Sequence, residues 1–105
     1  MNINDIAQEL HQIYKDMGVM VDIEENMIIL DYILPIIKKE NFETANELFI
    51  DRKNYSVSPL YGDEDELEAN RMDIIIKNED ADVEEIKKDI DKIINKLRSF
   101  WNGYD

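Results

Sequence analysis

Carboxylates are the reactive groups this chain carries in quantity: 25 Asp and Glu stand against 12 Lys and Arg, a single histidine and no cysteine. Without cysteine there is no thiol nucleophile and no thiolate for zinc. A carboxyl acts as a general acid only where an apolar pocket lifts its pKa, so the acids to weigh are Asp31 and Asp73, both set in apolar runs. Asp73 alternates with Met72 and Ile74 in a strand pattern and is expected to face solvent. Asp31 is expected on the exposed face of a helix. His11 stands beside Gln12, off the apolar stripe of its helix, and reads as a solvated surface residue. No G-x-S-x-G, P-loop or dinucleotide fingerprint is present, and three glycines are too few to build a phosphate cradle. The expectation is a protein that is not an enzyme and takes no cofactor.

The acids are unevenly spread. Residues 61–85 hold eleven of them against Arg71 and Lys77, a net −9 of the −13 carried by the whole chain. Asp63, Glu64, Asp65, Glu66 and Glu68 form one group; Glu79 and Asp80 precede the last helix and complete the expected partner-binding set. A calcium loop begun at Asp63 would need glycine sixth and glutamate twelfth. Glu68 and Ile74 occupy those places, so no dedicated metal site is expected. A field of this sign repels nucleic acid phosphates and anionic membranes and draws in basic surfaces. Direct nucleic-acid or membrane binding is therefore not expected, and the partner is expected to be a basic protein. Acidity for solubility alone is the competing explanation.

These groups need a scaffold, and 105 residues with 44% apolar content allow one domain, 1–105, with a modest core. Ile3, Ile6, Ala7, Leu10, Ile13, Tyr14 and Met17 recur at the spacing of one helical face, with Asn2 or Asn4 to cap it and Gly18 to end it. Val83, Ile86, Ile90, Ile93, Ile94, Leu97 and Phe100 or Trp101 mark a second long helix. Asp82 is its N-cap, with Glu85 three residues on, and Gly103 is its stop; the aromatic tail is expected to pack down. Between them, 19–23 alternates as a strand. A kinked helix over 25–39 is favoured next, because Ile23, Met27, Leu30, Leu34 and Ile37 follow helical spacing; the competing reading is a second strand at 27–30 after a turn at Glu24, Glu25 and Asn26. A short helix over 42–51 would pair with it as an αα-hairpin. Tyr55, Val57 and Tyr61 read as a strand, placed at the sheet edge by Pro59. Residues 72–77 read as its antiparallel partner across the acidic connection 63–70. The fold class expected is α+β: N- and C-terminal amphipathic helices and a central helical segment packed on a small antiparallel sheet. No run reaches the ~20 apolar residues of a membrane span, and the first residues lack the pattern of a signal peptide. A cytoplasmic location is expected, in a bacterial host cell if the chain is phage-encoded.

Size, acidity and mixed α+β character together resemble the small phage-encoded inhibitors known as anti-CRISPR proteins, some of which block Cas9 by imitating DNA. The opening Met1-Asn2-Ile3-Asn4-Asp5 is similar to the start of one of them, a likeness of five residues that carries no site with it. The resemblance implies that the acidic segment from Asp63 to Glu68 faces the PAM-reading or duplex-binding groove of a Cas nuclease. Two other readings stand beside it: a toxin-neutralising immunity protein or antitoxin, and a phage structural or assembly protein whose acidity is incidental. The residues leave the oligomeric state open.

Overall fold

The computed structural model describes residues 2–62 and 70–102, without the side chains of Trp101 and Asn102. Helix α1 spans Ile3–Tyr14 and helix α3 spans Val83–Asn102. Both start as their sequences require. The Asp5 amide donates to Asn2 Oδ1 at 2.9 Å, and the Glu85 amide donates to Asp82 Oδ2 at 3.3 Å, each satisfying an orphan N–H of a first turn. A 3-10 turn, Lys15–Met17, follows α1 and ends on Gly18 at φ 75, the left-handed conformation that glycine adopts without penalty.

Five strands form one antiparallel sheet: β1 Met20–Glu24, β2 Met27–Asp31, β3 Ile50–Asp51, β4 Tyr55–Leu60 and β5 Arg71–Ile76. Their order across the sheet is β1-β2-β5-β4-β3. The β4–β5 pairing is the expected hairpin, with Val57 opposite Ile74 and Pro59 opposite Met72. One face is covered. Ile28, Leu30, Val57, Met72 and Ile74 from the sheet join Ile6 and Leu10 of α1 and Ile86, Ile90 and Leu97 of α3 in a single buried cluster. The architecture is thus α+β, with helices at both ends of the chain and a short central one, all on one side of the sheet.

Three local expectations are corrected. Residues 25–39 do not form a kinked helix. Glu25 takes φ 57, the chain reverses in two residues, and β2 returns along β1 with Glu24 opposite Met27. Its run Ile28-Ile29-Leu30 is wholly aliphatic and buried on both faces of the sheet, so it loses the polar alternation by which a strand is usually read. Pro35 then keeps the preceding residue out of the helical region, and residues 32–38 run irregularly while Ile33 and Ile37 reach the core. The helix expected over 42–51 stops early: α2 is Phe42–Asn46, and Ile50–Asp51 is already strand. No αα-hairpin forms. Finally, β4 is not the edge strand, because β3 lies outside it. That strand pairs only with Val57 and Ser56, and Pro59 falls beyond its end, where its missing N–H goes unneeded.

Candidate protein-binding face

The buried alternate residues of each strand fix the composition of the other side. Across the sheet, the outward positions fall into three rows by register: Glu24, Met27, Ile75, Ser56 and Asp51; then Asp22, Ile29, Asp73 and Ser58; then Met20, Asp31, Arg71 and Leu60. Rows lie about 7 Å apart, two residues of strand. The described helices all pack on the opposite side; on this face Met20, Asp22 and Glu24 are exposed, whereas Ile29 near the centre is buried. The face carries five carboxylates.

Two of the five have cations beside them. Lys77 Nζ pairs with Asp51 Oδ1, and Arg71 Nε approaches Asp73 Oδ1 to 2.9 Å. The second pair is poorly aligned: neither of those two atoms completes a hydrogen bond, although both are buried. Asp73, expected in solvent, is therefore half-buried near the middle of the face. Burial raises its pKa, Arg71 opposes that shift, and Asp31 and Glu24 add to it as like charges. The remaining three acids, Asp22, Glu24 and Asp31, occupy the β1–β2 half, and among the described residues no salt bridge neutralises them. Asp31 closes β2 rather than riding on a helix. Met20 stands opposite it at 62% exposed, and the next residue, Tyr32, is 71% exposed and held at φ 70. A bulky side chain in the left-handed region is strained, so this aromatic is presented to solvent at a conformational cost.

The acids expected to bind a partner are divided by the fold. Glu79 and Asp80 lie in the exposed turn after β5, next to Asn54, whose Nδ2 donates to the Asp80 carbonyl at 3.4 Å. Asp63, Glu64, Asp65, Glu66 and Glu68 lie outside the described residues, as do Gly103 and Tyr104. Their connection leaves from the far end of β5, where the Gly62 amide donates to Asn70 Oδ1 at 3.1 Å. Six-residue β5 keeps its two ends about 17 Å apart. The connection is rooted in the row that holds Met20 and Asp31; Glu79 and Asp80 belong to the end that holds Glu24. What sequence reasoning missed is Asp22, Glu24 and Asp31. The signal was there in Met20-Val21-Asp22-Ile23-Glu24, where apolar and acidic residues alternate, but using it requires the β1–β2 register.

Other clusters are structural. Asp89, 4% exposed on α3, receives Arg52 Nε at 3.0 Å and Nη2 at 2.9 Å together with the Tyr55 hydroxyl. Arg52 first, then Tyr55, holds its carboxyl below the usual range against the opposing effect of burial. This pins the β3–β4 turn to α3. The Tyr14 hydroxyl likewise donates to Asp91 at 2.8 Å and ties α1 to α3. His11 is exposed, as expected. A cleft of about 680 Å³ between α1 and the start of α3 is lined by Asp5, Glu9, Asp82 and Glu84 around Ile13. Among the described residues no three acids or histidines converge as a metal site would need, and no helix is long and apolar enough to cross a membrane.

Fold and surface define a small acidic α+β protein whose sheet is covered on one side and charged on the other. No family model, curated protein or solved structure matches the chain.

Proposed function

We propose that this chain is an acidic binding protein that inhibits a basic nucleic-acid-binding protein or nuclease by occupying the surface that would otherwise hold phosphates. The observation that carries this reading is the β1–β2 half of the outer sheet face, where Asp22, Glu24 and Asp31 make no salt bridge among the described residues and stand beside exposed Met20 and Tyr32. Carboxylates held about 7 Å apart on a rigid sheet can meet Lys and Arg side chains that ordinarily contact a nucleic-acid backbone. The net −13 steers approach. Met20 and Tyr32 add desolvated contact of the kind that carries most of the energy at protein interfaces. The acidic segment Asp63 to Glu68 joins the described chain at the same end, at Gly62 and Asn70.

The test is inhibition of nucleic-acid cleavage in vitro by a guide-loaded Cas nuclease and by a set of basic nuclease toxins. The expected outcome is stoichiometric inhibition of one target, weakening about tenfold or more between about 50 and 200 mM salt. The triple variant Asp22→Lys, Glu24→Lys, Asp31→Lys should abolish it while keeping the wild-type circular dichroism spectrum. A second variant, Asp63→Lys, Asp65→Lys, Glu66→Lys, Glu68→Lys, apportions the effect between face and connection. Full inhibition by both variants would reject the acidic surface. Salt-insensitive self-association with no inhibited target would point to an assembly role instead.

A further inference from the structure

Among the described residues strand β1 ends the sheet, paired with β2 on one side only. The two-residue turn after Glu24 fixes which of its backbone groups are used. Met20, Asp22 and Glu24 pair toward β2, so Val21 and Ile23 turn their N–H and C=O groups outward. The hydrogen bonds agree with this phase. The Ile76 amide donates to the Asn26 carbonyl at 2.8 Å on the β5 side, and the Ile23 amide donates to its neighbour's side chain, Asp22 Oδ1, at 3.0 Å. Beside this edge runs a groove of about 450 Å³ between α1 and β1, lined by Ala7, His11, Val19, Val21 and Ile23 among others. Ile23 is 37% exposed within it. An added strand would therefore meet two different environments: partly exposed Val21 and Ile23 under one set of side chains, with Ala7 and Val19 buried in the groove wall, and Asp22 and Glu24 beside the other.

We infer that the β1 edge accepts an extended segment of the partner as a sixth strand, and that this segment alternates basic and apolar residues. The inference rests on the proposed function and deepens it, by stating how the basic partner is held. Main-chain pairing supplies register, and the alternate side chains supply choice. Charge decides the occupant. A second copy of this chain would set Asp22 and Glu24 against the same acids, and like charges facing across strands are destabilising. A segment bearing Lys or Arg at alternate positions neutralises them instead, and frees the Ile23 amide by drawing Asp22 away to a cation.

The probe is the peptide acetyl-Lys-Val-Lys-Val-Lys-Val-amide, titrated into the full chain and followed by amide hydrogen exchange and by affinity. Two controls accompany it: the same residues in block order, and the alternating peptide N-methylated at every second residue in each of the two phases. Binding should slow exchange at Val21 and Ile23, one N-methylation phase should weaken it at least tenfold, and the block-order peptide should bind at least tenfold more weakly. A Val21→Pro variant, which removes an outward N–H without removing a hydrogen bond to β2, should lose the peptide; if the loss of the Val21 side chain from the core or the fixed φ prevents folding, the N-methylated peptides on the wild-type chain still decide. Equal affinity for all the peptides, or no binding of any, overturns strand addition. The triple lysine variant separates the two ideas. If it loses inhibition while the peptides show no preference for pattern, the acidic face stands and the sixth strand falls.

Discussion

A carboxylate with almost no exposed surface needs its oxygens satisfied, and Asp89 receives three donors, two from Arg52 and one from Tyr55. Asp89→Ala leaves the Tyr55 hydroxyl without its acceptor and is expected to cost about 2–3 kcal/mol, read as a lower melting temperature. The pH dependence follows from the sign of the shift. Its native pKa lies below the unfolded value of about 3.9, so its contribution is whole above that value and drains away as pH falls through the native one. Asp73 works the other way. Its raised pKa means that stability is lost as pH climbs from the unfolded value through the native one. Melting curves from pH 5 down to 2 should show a steep acid loss in the wild type and a flatter one in Asp89→Asn. Tyr32 is a different single-residue case. Replacing it with glycine removes the left-handed strain, which costs a side chain of this kind about 1–2 kcal/mol, so Tyr32→Gly should melt higher while binding its target more weakly. Weaker melting together with unchanged inhibition would remove Tyr32 from the interface.

Among the elements, α2 shows how little secondary structure is needed to hold a turn of chain. It has five residues, yet Asn46 clasps the end of β4 twice: its Nδ2 donates to the Tyr61 carbonyl at 3.0 Å, and its Oδ1 accepts from the Tyr61 amide at 2.7 Å. Phe42 stacks on the Tyr61 ring with centroids 5.1 Å apart. Asn46→Ala should cost about 1–2 kcal/mol, visible as a shift in denaturant midpoint with an unchanged slope. None of this is written in local pattern, since Asn46 and Tyr61 meet only after the sheet has formed. The long helices α1 and α3 were legible because each shows one apolar stripe, a good N-cap residue and helical spacing over several turns. The β4–β5 hairpin was legible from its β-branched alternation. Strand β2 was not: Met27, Leu30, Leu34 and Ile37 satisfy helical spacing by coincidence, and Ile29, 5% exposed on the far face, fills the polar position that would have marked a strand. The acidic face shares that fate. Asp31 joins Asp22 and Glu24 only through the register of the hairpin that the helical pattern hid.

At the scale of the whole molecule, charge acts on folding and on binding with opposite signs. A net −13 repels itself within a molecule whose Cα radius of gyration is 13.4 Å, and salt at physiological strength screens charges over about 8 Å. Raising salt from low ionic strength should therefore raise the melting temperature while weakening the inhibited complex. Both trends are measurable in one buffer series, and a complex that tightened with salt would contradict a carboxylate-driven contact. The covered side of the sheet has its own consequence. Tyr14, Tyr55 and Tyr61, three of the five tyrosines, keep their phenol protons beyond the ordinary range, in each case chiefly because burial disfavours the phenolate, with hydrogen bonds to Asp91 and Asp89 reinforcing the first two. Native pKa values above the unfolded value of about 10 mean that stability is intact below that value and fails as alkali is added. The ultraviolet absorbance of ionised phenol thus becomes a built-in reporter: most of its rise should come in a single cooperative step, when base pries the helices off the sheet.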